Sequence, residues 1–199
     1  MNVTTRPITF TSLLAAALMV AGCGDTSSGR SPSKVTVTEV KVGAGGTSPT
    51  FSSGPLNSDV LTNGSIVDDL AEITLELQLK DPGVPGSTNA PSALNAVTFT
   101  RYHVEYRRAD GRNTPGVDVP YAFDGAVTFT VMNDAVTAIV EIVRHVAKAE
   151  APLAALAADG RNVITTIATV TFYGKDQAGN NVKVSADIQV NFGNFADPT

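Results

Sequence analysis

Few side chains in this sequence are suited to covalent or metal chemistry. Cys23 is the only cysteine among 199 residues, and as a thiolate it is the best soft nucleophile the chain can offer. His103 and His145 are the only two histidines. Nucleophilic catalysis needs a Ser, Thr or Cys beside a base, but the chain lacks a Gly-x-Ser-x-Gly elbow for either histidine to serve. Each histidine falls inside a run of alternating residues and reads as a structural or surface group. Zinc takes three or four His, Cys, Asp or Glu ligands. With the histidines far apart in sequence, zinc is not expected.

Calcium prefers oxygens, which loops rich in Asp and Asn supply. Two groups qualify by composition: Asp176 with Asn180 and Asn181, and Asp68 with Asp69 and Glu72. No Asp-x-Asp-x-Asp-Gly loop occurs, and Asp and Asn are also the residues that turns favour, so no metal site is assigned. Glu39, Glu76, Glu105 and Glu141 lie on separate segments at mostly alternate polar positions, the pattern of a solvated face and not of a facing carboxylate pair. Arg107, Arg108 and Arg112 form the only local basic group and read as surface salt-bridge partners. Gly43-Ala-Gly-Gly46 lacks the Lys-Ser/Thr and the following helix of a phosphate loop. No catalytic residue and no cofactor emerge.

The one segment with a defined chemical reading is the N-terminal one. Arg6 is the only charge before Cys23; an apolar run from Ile8 to Val20 follows, then small residues at Ala21 and Gly22. This is the plan of an export signal, too short for a membrane-spanning helix. Val20-Ala21-Gly22-Cys23 resembles the lipobox of bacterial lipoproteins. The resemblance implies cleavage between Gly22 and Cys23, and a diacylglyceryl group on the Cys23 sulfur. Lipid chains contribute about 0.8 kcal/mol per buried methylene, so two or three anchor stably. Gly24, where enteric lipoproteins retained at the inner membrane carry Asp, favours sorting to the outer membrane. An exported chain with one cysteine forms no intramolecular disulfide, and acylation removes a thiol that would otherwise be a liability.

Composition agrees with an exported domain. The formal charge is −5 and no basic cluster exists, so nucleic acid is not an expected partner. Residues 1–22 are read as the signal, 23–33 as a Gly/Ser-rich tether, and 34–199 as one domain.

Periodicity predicts the elements that hold these residues. Val35–Val42 alternates with a change of parity near its middle, a strand with a bulge. In Leu70–Lys80, Ile73, Leu75, Leu77 and Leu79 face one way and polar residues the other. Val97–Arg108 carries Val97 and Phe99 on one parity and Tyr102, Val104 and Tyr106 on the other, which a bulge at 100–101 reconciles. A short edge strand is expected at 117–123 and another strand at 126–132. Val136–Val146 fits a strand or a helical face; its seven β-branched residues favour a strand. A short helix is expected at 152–158, followed by a hairpin of 162–173 and 181–192 around Asp176–Asn180. Two long loops remain, 43–64 and 81–96.

Seven or eight such strands with one small helix predict an antiparallel sandwich. Tyr102-His-Val-Glu-Tyr-Arg107 with Asp110-Gly111 is similar to the third strand of fibronectin type III-like domains. Phe172-Tyr-Gly-Lys-Asp-Gln-Ala-Gly-Asn180 resembles a hairpin of bacterial immunoglobulin-like domains. The resemblance implies an all-β immunoglobulin/fibronectin type III-like sandwich, without the usual tryptophan of the second strand. The expected function is that of a lipid-anchored binding or structural module of the cell envelope, without catalytic activity. It would meet a membrane through its lipid and an envelope protein through its long loops. The alternative is a solute- or calcium-binding lipoprotein.

Overall fold

The structure is a computed structural model that describes residues 29–45, 49–158 and 160–195. The export segment 1–22, the lipobox and Cys23 lie outside the described residues.

The alternation in the sequence becomes two principal sheets. A three-stranded sheet runs in the order β1 (Ser33–Ala44), β3 (Asp69–Leu79), β8 (Val136–Val143). A five-stranded sheet runs β2 (Leu56–Asp59), β10 (Asn181–Gly193), β9 (Ile164–Asp176), β6 (Val97–Arg107), β7 (Phe123–Val131). Only the β2–β10 pairing is parallel; the other pairings in both sheets are antiparallel. β4 (Gly83–Val84) and β5 (Ser87–Thr88) form a separate small hairpin.

One hydrophobic cluster takes side chains from both principal sheets: Ile73, Leu75 and Ile142 from the smaller, Phe99, Phe172 and Phe192 from the larger. Each of these six is fully buried, and such burial contributes about 1.5–3 kcal/mol per large side chain. Phe172 sits among Phe129, Phe99 and Tyr102, with centroid separations of 5.6, 6.1 and 6.2 Å.

Both parity changes in the sequence are bulges. The β1–β3 register shifts between Val37 and Glu39, which returns Val42 to the core side occupied by Val35. The β6 register shifts between Phe99 and Arg101 against both neighbours, which lets Phe99 and Tyr102 point inward together. The segment open to two readings, Val136–Val146, is a strand, β8, as far as Val143; the short helix α1 (His145–Ala149) begins only at its end.

Several expectations are corrected. No strand forms at 117–123; Thr114–Val119 is instead a knot of turns, with the Asp118, Val119 and Val117 amides donating to the Thr114 carbonyl, and β7 starts only at Phe123. Pro120 and the turn bonds leave no free run of amides there for a ladder. His145 lies at the start of α1 and not in a strand. The helix expected at 152–158 is a 3-10 helix at 153–158 that buries Leu153 and Leu156. The last residues of the expected tether belong to the fold: Ser31 and Ser33 are buried, and the Pro32 carbonyl accepts from the Lys80 amide. The two expected loops are partly ordered into strands, 43–64 by β2 and 81–96 by β4 and β5. They leave opposite ends of the β1–β3 pair, as the register Ser33 with Leu79 and Ala44 with Asp69 requires.

Candidate functional site

The consecutive acids Asp68 and Asp69 stand at the start of β3, where successive side chains go to opposite faces. Asp69 shares the parity of Ala71, Ile73 and Leu75 and is driven inward; it is 0% exposed. Its Oδ2 meets Lys148 Nζ of α1 at 2.9 Å and accepts from Ser58 Oγ of β2 at 2.6 Å. Lys148 Nζ also donates to the Asp59 carbonyl at 2.9 Å. Neither side chain of the ion pair has any exposed surface. Burial pushes the Asp69 carboxyl above its ordinary value, against the opposing pull of Lys148 and Ser58. Its Oδ1 is buried with no hydrogen-bond partner among the described residues.

Asp68 faces the other way. Its Oδ1 accepts from the His145 backbone amide and lies 2.8 Å from His145 Nδ1. Burial tends to raise this carboxyl, but the two His145 hydrogen bonds outweigh it and hold it below its usual value. Asp68 therefore satisfies an amide of the first turn of α1 from a distant segment, the task an N-cap side chain performs locally. With Leu70, Glu141 and the apolar Ile66 and Val67 the pair lines an open cleft of about 400 Å³. His145 has a carboxylate beside it, and no hydroxyl is among the residues that line the cleft with it.

A second concavity lies on the outer face of the larger sheet, beside the β6 bulge. Thr98, Thr100, Arg101, Tyr173, Lys175 and Gln177 line about 300 Å³ there. The Arg101 guanidinium lies 4.1 Å from the Tyr173 ring centroid and bonds Asp124 at 2.7 Å. His103 Nδ1 reaches the same Asp124 oxygen at 3.3 Å. The surrounding face is paved with hydroxyl pairs: Thr98 with Thr130 at 2.8 Å and Thr171 with Ser185 at 2.9 Å. Thr169 donates to Asp187 at 2.6 Å. The arrangement can exchange hydrogen bonds with a polar partner; it holds no assembled nucleophile and base.

The calcium candidates are engaged by other groups. The Asp176 carboxylate accepts from the Ala178 and Asn180 amides and from Asn180 Nδ2, at 3.0, 2.8 and 2.9 Å, and so closes the β9–β10 turn. Burial works to raise it, but the Asn180 bonds in particular prevail and hold it low. Asn181 begins β10. Asp69 and Asp68 are engaged by Lys148 and His145, and Glu72 lies 3.6 Å from Lys41. Among the described residues no three His, Cys, Asp or Glu side chains gather as metal ligands would. Arg108 and Arg112 share Asp110, at 2.6 and 3.0 Å, and the hydrogen bond from Arg108 leads in holding that carboxyl far below the usual range. Arg107 instead donates to Thr169 at 3.3 Å. Glu39 pairs with Lys41 at 2.9 Å. The buried Lys148–Asp69–Ser58 cluster was not anticipated from sequence; the inward parity of Asp69 was its only signal.

No family model and no curated protein matches the chain. Among solved structures, the X-ray structure of Northeast Structural Genomics Consortium target SoR45 is similar over 81% of this chain and 86% of that one. The identity is 14% and the TM-score 0.35, a likeness too low to bear on fold or function.

Proposed function

We propose that this chain is a lipid-anchored module of a bacterial cell envelope, an immunoglobulin/fibronectin type III-like sandwich that binds or supports another envelope component. The observation that carries the reading is Val20-Ala21-Gly22-Cys23, an apolar run ending in small residues before the only cysteine. A thiol there is placed for alkylation by a lipid donor, and the lipid supplies the membrane attachment. The strand orders β1-β3-β8 and β2-β10-β9-β6-β7 around a shared core support the sandwich assignment. The polar face around Arg101 and Tyr173 and the two long connections are the surfaces offered to a partner. Rigid sheets that present side chains and loops are a common platform for recognition. The reading assigns His103 and His145 no catalytic role.

Fractionation tests the anchor. The parent chain is expected in the membrane fraction, bearing lipid on Cys23. Cys23→Ala is expected in soluble or unprocessed form. A Cys23→Ala protein that is still processed and membrane-bound refutes the reading. In-cell cross-linking of the parent, with Cys23→Ala as control, is expected to recover one envelope protein in fixed proportion. Recovery of none, with a marked rise in melting temperature on adding calcium or a small solute, favours a ligand-binding lipoprotein instead.

A further inference from the structure

The Lys148–Asp69 contact has the inventory of a covalent amide more than that of an ion pair. A buried ion pair is stable only if its remaining donors and acceptors are met. Here Asp69 Oδ1 is buried and unmet among the described residues. An amide between the two side chains needs one acceptor for its N–H and one donor for its carbonyl. Both are already in place: the Asp59 carbonyl at 2.9 Å from Lys148 Nζ, and the Ser58 hydroxyl at 2.6 Å from Asp69 Oδ2. The oxygen that condensation would remove is the one without a partner. The two reacting side chains are fully shielded from solvent, so the reacting groups meet as an intramolecular pair in a dry site.

We propose that Lys148 and Asp69 condense into an intramolecular amide once the chain has folded. The ammonium first passes a proton to the carboxylate, giving a neutral amine and a carboxylic acid. The amine lone pair attacks Cγ, and the Cγ–Nζ bond forms. Ser58 Oγ, already hydrogen-bonded to Oδ2, holds the retained oxygen in place through the tetrahedral stage. A second proton moves from nitrogen to Oδ1; the Cγ–Oδ1 bond then breaks and the proton on Oδ2 goes with the departing oxygen, so one water leaves and Oδ2 becomes the amide carbonyl. No oxidant, reductant or activated co-reactant is consumed. The link would fasten β3 to α1 beside β2, closing the segment between residues 69 and 148. Such a closure restricts the unfolded chain as a disulfide does, in a protein whose single cysteine cannot form one internally.

Peptide mapping decides the matter. Full-length protein is extracted from membranes in detergent, shown to melt cooperatively, then denatured and digested with trypsin. The expected product is a branched peptide joining residues 42–80 to residues 145–161, lighter by one water than the two together, with no cleavage after Lys148. Lys148→Met should abolish it. Linear peptides alone, with cleavage after Lys148, overturn the proposal, as does a branched peptide that survives in Lys148→Met.

Discussion

Lys148→Met isolates the cost of a stranded charge in the core. Methionine retains most of the aliphatic stem but leaves the Asp69 carboxyl, which is 0% exposed, without its cation. Removing one partner of a buried pair costs about 3–5 kcal/mol. In a chain of this size each kcal/mol moves the melting temperature by roughly 2–4 °C, so the expected loss is about 6–20 °C. The loss carries a pH signature. Burial already raises the Asp69 carboxyl above 3.8, and Lys148 is the strongest influence pulling it back; without Lys148 it rises further. A carboxyl whose folded-state value is raised binds its proton more tightly in the folded protein. Stability is then greatest below the unfolded value and falls as the pH climbs through the folded one. The deficit should be smallest near the ordinary carboxylate value and largest at neutral pH. The pH-dependent part arises from the variant's own Asp69, so it is expected whether the parent holds an ion pair or an amide; loss of an amide closure would add a deficit that does not vary with pH. Adding Asp69→Asn should remove most of the pH-dependent part of the deficit, since a neutral side chain can still accept from Ser58. Thermal melts across the acid-to-neutral range read all three variants. A deficit under about 1 kcal/mol, or one equal at acid and neutral pH, would refute the argument.

Phe172→Ala removes the ring that Phe99, Phe129 and Tyr102 pack around and should cost about 3–5 kcal/mol in urea unfolding. Gly125 lies beneath the Tyr102 ring, where an added Cβ would come within 2.1 Å of Cζ. Gly125→Val should therefore displace the tyrosine, lower stability by about 1–3 kcal/mol and change the near-ultraviolet circular dichroism. Asp68 is held below 3.8 by His145, so its contribution is present above that value and lost as the pH falls through the folded-state value. Asp68→Asn should flatten the acid limb of the melting curve against pH, and an unchanged acid limb would remove His145 as the cause.

The strands with one wet face were legible because their period is local. Ile73, Leu75 and Leu77 declare β3, and the Val182–Phe192 alternation declares β10. Even the bulges at Val37–Glu39 and Phe99–Arg101 could be located, because a bulge must reverse parity and the apolar residues record the reversal. β2 left no such trace. Its four residues Leu56-Asn-Ser-Asp59 are polar at three positions, and they form a strand only because β10 presents a parallel edge to them. The turn at 114–119 misleads for the converse reason: Val117 and Val119 alternate, but hydrogen bonds to the Thr114 carbonyl claim the amides a ladder would need.

The buried cluster shows which part of a site a period can reveal. Asp69 extends the inward column of Ala71, Ile73, Leu75 and Leu77 by one step, all of them at most 5% exposed. A carboxylate on that parity must find a cation or a donor inside the protein, because burying it alone is prohibitive. The sequence therefore poses the demand at a definite residue. The reply comes from Lys148, on a one-turn helix that no period announces. That helix is brought within 2.9 Å only because β8 pairs with β3 and ends beside its first residue. Local alternation can state that a partner is owed; strand order across two sheets decides which residue it is. The same pairing sets Asp68 against His145 on the outer side, so one turn of helix answers two consecutive acids facing opposite ways.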